Sequence, residues 1–374
     1  MEAFRLNSRV IEDEKEYLIQ TVNDANQGVI KTSLFADGEF LDAEILPHSE
    51  RMSEDQVLNM VKTAHGEKKS ELEYLLKSFR EVIQNGTPEM MYQLGSALYY
   101  RRMYPEAARL FRSASKIKGD FHEAWFYLSQ TELALKNAEE AIQAGSRAVE
   151  LRPNFADYRN NLGEAYLASK LCRDAVREFN EAIKSNVYYA DAYFNLGVTY
   201  VLNAINKEDY EMADDYAVRT RDLLNKASLI YPFYKTSDFN AALTALANDD
   251  PASAHSMLTR VREDIKEKHR LEKASYIHRF LMSTDWINKE NIDDRISILE
   301  REIDKNPGYV DLYYDMAVCQ LHRAKFGWEE AIDSFMQALN INPELKKAQR
   351  ALDLARDQFL KIADSIVDIT SRKS

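Results

Sequence analysis

Three asparagines, Asn161, Asn195 and Asn240, and the phenylalanines that precede two of them, Phe194 and Phe239, are the side chains of this sequence best suited to recognition chemistry. A carboxamide donates and accepts hydrogen bonds at once, which matches the donor and acceptor of a peptide unit. An aromatic ring on an accessible face adds a rigid anchor. Asn160, Tyr92 and Phe126 extend the same set. Other kinds of chemistry lack their residues. His48, His65, His122, His255, His269, His278 and His322 show no ligand spacing with one another or with Cys172 and Cys319. Neither a glycine loop that cradles phosphate nor a strand-turn-helix nucleophile motif is present. Carboxylate pairs abound, and among 61 acids they read as solvated helix faces. The expectation is a protein without catalytic residues, metal or cofactor, and therefore not an enzyme.

Composition narrows the partners. The chain carries 49 basic and 61 acidic residues, for a net charge of -12 and a pI near 5.3. Binding a phosphate backbone depends on clustered cations that release counterions, so nucleic acid is not expected. No window approaches the roughly 18 apolar residues of a membrane helix, and the first residues lack an apolar run of signal-peptide length. Membrane insertion is not expected, and a cytoplasmic location is. Two distant cysteines point to no disulfide and a reducing compartment. Hydrophobic residues at 45% can build a core, and only 11 glycines and 8 prolines interrupt it, which favours helices.

The positions that must hold these side chains recur. From Pro88 the chain reads Met91, Leu94, Gly95, Leu98, Ala107, Phe111 and Ala114. From His122 it reads Trp125, Leu128, Ser129, Ala141, Ala148 and Pro153, with Gly145 where the phenylalanine stood. From Ala156 come Leu162, Gly163, Tyr166, Ala175, Phe179 and Ala182. Ala190 opens a fourth unit with Tyr193, Leu196, Gly197 and Tyr200, whose closing Ala227 and Pro232 arrive eleven residues late. Eleven residues are three helical turns, so the second helix of that unit can lengthen without turning its apolar face away. Weaker units start at Lys235 and end at Asn306-Pro307, and a seventh carries Tyr313, Met316, Ala331, Phe335, Ala338 and Pro343. A last amphipathic run, 344–361, reads as a cap.

This pattern, with a period of about 34 residues, resembles the tetratricopeptide repeat family over roughly residues 88–361. The resemblance implies an α-solenoid of about seven helix pairs whose first helices line a concave groove that binds a protein or peptide. The sixth position of each unit, opposite the packing face at 100° per residue, holds Gln93, Tyr127, Asn161, Asn195 and Asn240, and the fifth holds Tyr92, Phe126, Asn160, Phe194 and Phe239. The three asparagines are similar to the asparagine ladder of O-linked N-acetylglucosamine transferase, which implies an extended peptide held by its main chain. Hydrated surface amides, and rings packed on the adjacent repeat, are the alternatives. Chaperone-binding members of the family grip a terminal carboxylate with cations, whereas Tyr92, Ser96, Phe126, Gln130, Asn160 and Glu164 stand at those positions here, so no such clamp is expected.

Ahead of the repeats, the acid-rich residues 1–52 alternate like a three-stranded antiparallel β-meander: YLIQTV, VIKTSLF and EFLDAEIL, with Asp37-Gly38 as a hairpin turn. Pairing outward from that turn sets Phe35 against Phe40, Leu34 against Leu41, Lys31 against Glu44 and Ile30 against Ile45, and places Ile30, Leu34, Leu41 and Ile45 on one face. Ser53-Glu-Asp-Gln56 reads as a capping box that opens connecting helices over 53–87. The repeats then occupy 88–361, and 362–374 is a tail. A helix over about 209–231 shows a seam at Tyr210, Ala213, Ala217 and Leu224 that suits either packing within the chain or self-association, so a homo-oligomer is open. The basic run at 266–270 reads as solvated.

Overall fold

The computed structural model describes residues 4–12, 15–49, 52–207 and 215–281, and a discontinuous set between 292 and 358. The chain divides into two compact units, Met1–Pro153 with Arg270–Ile277, and Asn154–His269 with His278–Ser374.

The first unit begins with strands. In Lys15–Asp24 (β2) the alternate residues Tyr17, Ile19, Thr21 and Asn23 are buried, the period of a half-buried strand. Val29–Ala36 (β3) and Glu39–Pro47 (β4) follow it. Arg5–Glu12 (β1) pairs antiparallel on the other side of β2, so the sheet has four strands in the order β1-β2-β3-β4 rather than the three expected. The expectation misses β1 because RLNSRVIE is rich in charge and buries Leu6 and Val10 only in part.

Asp37 and Gly38 both take positive φ, 48° and 84°, as their two-residue turn requires, and Phe35 faces Phe40 as expected. A bulge between Leu34 and Phe35 then displaces the remaining pairs, so that Leu34 faces Asp42, Lys31 faces Ile45 and Ile30 faces Leu46. A shift of one residue exchanges the two faces of a strand. Ile45 is accordingly 60% exposed, Leu41 is half-buried, and Asp42 is buried in their place.

Ser53 and Gln56 form the expected capping box, each side chain bonded to the other's backbone N–H at 3.3 and 2.9 Å. The helix they open is one continuous element, Glu54–Asn85 (α1), and not several. Val57, Val61, Leu72, Leu75, Leu76 and Phe79 form its buried stripe, with Val61 and Ala64 packed on Ile30 of the sheet. Each such apolar side chain contributes about 1.5–3 kcal/mol when fully buried.

Buried Asp42 is satisfied by cations from three directions. Arg101 Nη1 and Arg270 Nη2 each lie 3.1 Å from it and Lys68 Nζ lies 3.9 Å away. Lys68 also meets Glu44 at 2.9 Å and Glu71 at 3.3 Å, and Arg101 Nε meets Glu71 at 2.8 Å. Three carboxylates and three cations therefore neutralise one another where sheet and helices join.

Helix pairs follow. In the first unit they are Pro88–Tyr100 (α2) with Tyr104–Ile117 (α3), and His122–Ala134 (α4) with Ala138–Leu151 (α5). In the second they are Ala156–Ala168 (α6) with Cys172–Ser185 (α7), Ala190–Asn206 (α8) with Tyr216–Ile230 (α9), and Ser237–Ala247 (α10) with the start of Pro251–Leu281 (α11). Close approach inside a pair is visible at the repeat glycines: a Cβ on Gly95 would sit 2.9 Å from the Phe111 ring, and one on Gly163 2.6 Å from the Phe179 ring.

In four of these five pairs the turn between the helices is the same device. Arg102, Lys136, Lys170 and Asp249 take φ of 58°, 63°, 61° and 56°. The next residue returns its N–H to the last turn, Met103 to Leu98 O at 2.9 Å, Asn137 to Glu132 O at 2.8 Å, Leu171 to Tyr166 O at 2.9 Å and Asp250 to Ala245 O at 2.9 Å. That is the Schellman closure, built here without glycine.

Three expectations change. The extra residues of the fourth unit lengthen α8 to Asn206, and Asp215 at φ 54° stands just before α9, so no single helix runs from 209 to 231. Tyr210 and Ala213 lie outside the described residues. Leu224 is fully buried against α8 and Ala217 is packed on the same cluster, which spends that part of the seam inside the chain. The seventh unit is one helix, Val310–Ile341 (α12), with Gly327 inside it, because no left-handed residue closes a first helix there. Much of the sixth unit and residues 359–374 lie outside the described residues. Cys172 and Cys319 are both buried, and neither is in a disulfide.

Candidate protein-binding face

The fifth and sixth positions of the first helices are not the open wall that the spacing suggests. In the second unit Phe194 is fully buried and stacks on Tyr234 at 4.5 Å with 13° between the rings. Tyr234 is the last residue of a 3-10 turn, Pro232–Tyr234, and its hydroxyl donates to Asp191 at the start of α8. Phe239 is 2% exposed in the same apolar cluster. Asn160, Asn161 and Asn195 are buried as well, and of the three ladder asparagines only Asn240 is exposed.

In the first unit Tyr92 and Phe126 are half-buried. Tyr92 lies 5.3 Å from Phe121 and 5.6 Å from Tyr127, and Phe126 meets Tyr127 edge-on at 5.4 Å. Tyr100 is buried too, and its hydroxyl pairs with that of Tyr127 at 3.1 Å. Burial, and next the neighbouring Tyr127, push the Tyr100 phenol far above its usual range.

These burials correct the ladder and the ring anchors. Helical arithmetic finds the side opposite one packing face, and it treats that side as solvent. A first helix in a stack has more than one neighbour. Rings at the fifth position pack on the aromatic residue that enters the next unit, Phe121 for Tyr92 and Tyr234 for Phe194. The sequence does carry a signal for this, since Phe121, Phe155 and Tyr189 each stand immediately before a first helix and Tyr234 three residues before one.

A polar constellation joins α6, α8 and α11 in the second unit. Asn195 Nδ2 donates to Glu164 Oε1 at 2.9 Å and to Asn160 Oδ1 at 3.1 Å. Lys266 Nζ, from α11, donates to Glu164 Oε2 at 2.7 Å. Burial alone would raise the Glu164 carboxyl, but the charges of Lys266 and Arg262 and the bonds from Lys266 and Asn195 together hold it below the usual carboxylate range. It is an anion at neutral pH.

The basic run of α11 is equally committed, against the expectation of a solvated cluster. Lys268 Nζ sits 2.9 Å above the Phe233 ring, His269 Nε2 is 3.1 Å from the Tyr231 hydroxyl, and Arg270, 8% exposed, bonds the Tyr100 carbonyl at 2.6 Å as well as Asp42. Sequence spacing alone missed this, because Lys266 and Glu164 are 102 residues apart.

Among the described residues no cluster of three or more His, Cys, Asp or Glu side chains could hold a metal, and no helix is long and apolar enough to cross a membrane.

Comparison with known proteins agrees with the repeat register where it reaches. A Tetratricopeptide repeat profile matches residues 92–156. No curated protein matches the chain. Solved structures with a detectable likeness include TTC0263, a thermophilic tetratricopeptide repeat protein of Thermus thermophilus, at 22% identity over 51% of this chain and 100% of that one, TM-score 0.36. MamA from Desulfovibrio magneticus matches at 19% identity over 46% and 94%, TM-score 0.35. YrrB, a tetratricopeptide repeat protein with an unusual peptide-binding site, matches at 14% identity over 52% and 97%, TM-score 0.35. Residues 92–156 thus match the tetratricopeptide repeat profile, and the glycine-phenylalanine contacts and Schellman turns of the helix pairs recur in the same register beyond them.

Proposed function

We propose that the protein is a non-enzymatic adaptor that holds a segment of another polypeptide against the inner helices of its repeats. One observation supports this above the others. In the second unit Glu164, which Asn195 bonds from α8, already accepts a hydrogen bond from another segment of polypeptide, Lys266 of the chain's own α11. The three-asparagine ladder is not carried forward, because Asn161 and Asn195 are buried. Asn240 is the member of that series open to a ligand.

The test is site-specific photo-crosslinking in the producing cell, with a benzophenone amino acid at Asn240 and, for comparison, at Leu229, which is 74% exposed on α9. The expected result is a discrete protein adduct at position 240 and none at 229. Equal labelling at both positions, or none at 240, would remove the adaptor reading.

A further inference from the structure

The sheet of the first unit is covered on one side only. Ile19 and Ile30 are fully buried on the side where α1 packs. An antiparallel sheet ordinarily turns polar residues to water on its other side. Here that side carries Ile11 at 71% and Phe40 at 48% exposure, with Leu18, Val22 and Phe35 half-buried.

The register sets these residues in rows across the strands. Leu18 faces Phe35, and Phe35 faces Phe40. The next row on the same side is Gln20, Ser33 and Ala43, and the one after it is Val22, Lys31 and Ile45. Two rows with large side chains therefore flank a middle row without apolar bulk. Glu16, Leu18, Gln20, Phe35, Asp37 and Gly38 line a hollow of about 430 Å³ at one end of this face. Two carboxylates beside a ring and an aliphatic side chain suit an ammonium on an apolar stem. Asp37 accepts the Glu16 N–H at 2.9 Å, and Glu16 meets Arg9 at 3.2 Å in an exposed pair of the weakly held kind. Lys31, exposed toward the other end of the face, has no ion pair among the described residues.

We propose that this open side of the sheet is the interface of a reversible homodimer, with a two-fold axis along the Gln20–Ser33–Ala43 row and Lys31 of each copy seated in the hollow of the other. Such an axis crosses the strands and reverses them, so the row on one side of it meets the row on the other. Lys31 then comes over Phe35 beside Glu16 and Asp37, Val22 over Leu18, and Ile45 over Phe40. The face is complementary to itself in charge and in apolar surface, as a two-fold contact requires. Arg5 and Arg9 meet at the rim on β1, where solvent screens them. Four strands about 4.8 Å apart and eight residues long at about 3.3 Å per residue cover roughly 500 Å² on each copy. A pair buries on the order of 1,000 Å², the small end of specific interfaces, so the dimer forms and parts readily. This inference does not rest on the adaptor reading, whose residues lie in the second unit.

Sedimentation velocity on the full chain, from low to high micromolar concentration, tests it with wild type, Lys31→Glu, Glu16→Lys and Ile45→Lys. Wild type is expected to pass from monomer to dimer as concentration rises. Each variant alone is expected to weaken the dimer at least tenfold. An equimolar mixture of the Lys31→Glu and Glu16→Lys chains is expected to regain it, because lysine and glutamate then face each other at both contacts. Far-UV circular dichroism checks each fold, and Ile45→Lys, at a position 60% exposed, carries the test if a charge variant does not fold. Variants that dimerise as wild type does, or a mixture that stays monomeric, overturn the proposal. So does a wild type that is monomeric throughout, which leaves the face to a different partner.

Discussion

Gly163 and Gly197 hold the same position in successive repeats, yet they are constrained differently. A Cβ at Gly163 would meet the Phe179 ring at 2.6 Å, whereas one at Gly197 would meet Thr220 and Leu224 at 3.5 and 3.6 Å, ordinary contact distance. Alanine gains about 1 kcal/mol of helix propensity over glycine at either site. At Gly163 the overlap with an enclosed ring outweighs that gain, and overpacking typically costs about 1–3 kcal/mol. Urea denaturation should therefore show Gly163→Ala destabilised and Gly197→Ala neutral or stabilised. The repeat glycines are legible in the sequence from their spacing alone. What each one touches is not, because the second helix of the fourth unit presents Thr220 and Leu224 where the first and third units present phenylalanine.

At the scale of elements, the junction of β4, α1 and α2 depends on Asp42, whose side chain is 3% exposed between Arg101, Arg270 and Lys68. Removing one partner of a buried ionic group leaves charge unpaired at a cost of about 3–5 kcal/mol. Asp42→Ala should lose stability on that scale in chemical denaturation, while Glu73→Ala, which breaks an exposed pair with Lys69 at 3.8 Å, should change it by less than about 0.5 kcal/mol. The turns offer the opposite sign. Lys136 holds φ of 63° at a position where glycine carries no Cβ penalty, so Lys136→Gly should be neutral or stabilising by up to about 1 kcal/mol. The capping box of α1 and the Asp37-Gly38 turn were readable because each is local chemistry over four residues or fewer. The bulge that buries Asp42 was not, since its reason lies in cations far along the chain. β1 hid behind its charges for a related cause: a strand that buries Leu6 and Val10 only in part has little apolar contrast to show.

For the whole molecule, buried histidines set the response to acid. Burial, and next the charge of Arg152, push His122 down to about 4, and His65 and His255 are lowered by burial as well. The sign follows from proton uptake. Unfolded histidine binds a proton below about 6.5, and a folded His122 resists it until about 4. Stability is thus fully present above pH 6.5 and falls as pH drops through that interval, by on the order of 2 kcal/mol from His122 alone. Glu44 and Glu164, both lowered, add a further loss as pH falls through their folded values. Denaturation midpoints at pH 7.5, 6.0 and 4.5 should decline in that order, with a shallower decline in His122→Gln.

The proposed adaptor role requires that Glu164 hold a polypeptide segment, as it holds Lys266 of α11 in this structure. Native-state hydrogen exchange on wild type and Glu164→Lys addresses it directly. The expected result is that amides over 258–269 exchange at least tenfold faster in the variant, while those of α7 around Phe179 keep their protection. Unchanged exchange over 258–269, or loss of protection across the whole second unit together, would contradict the claim.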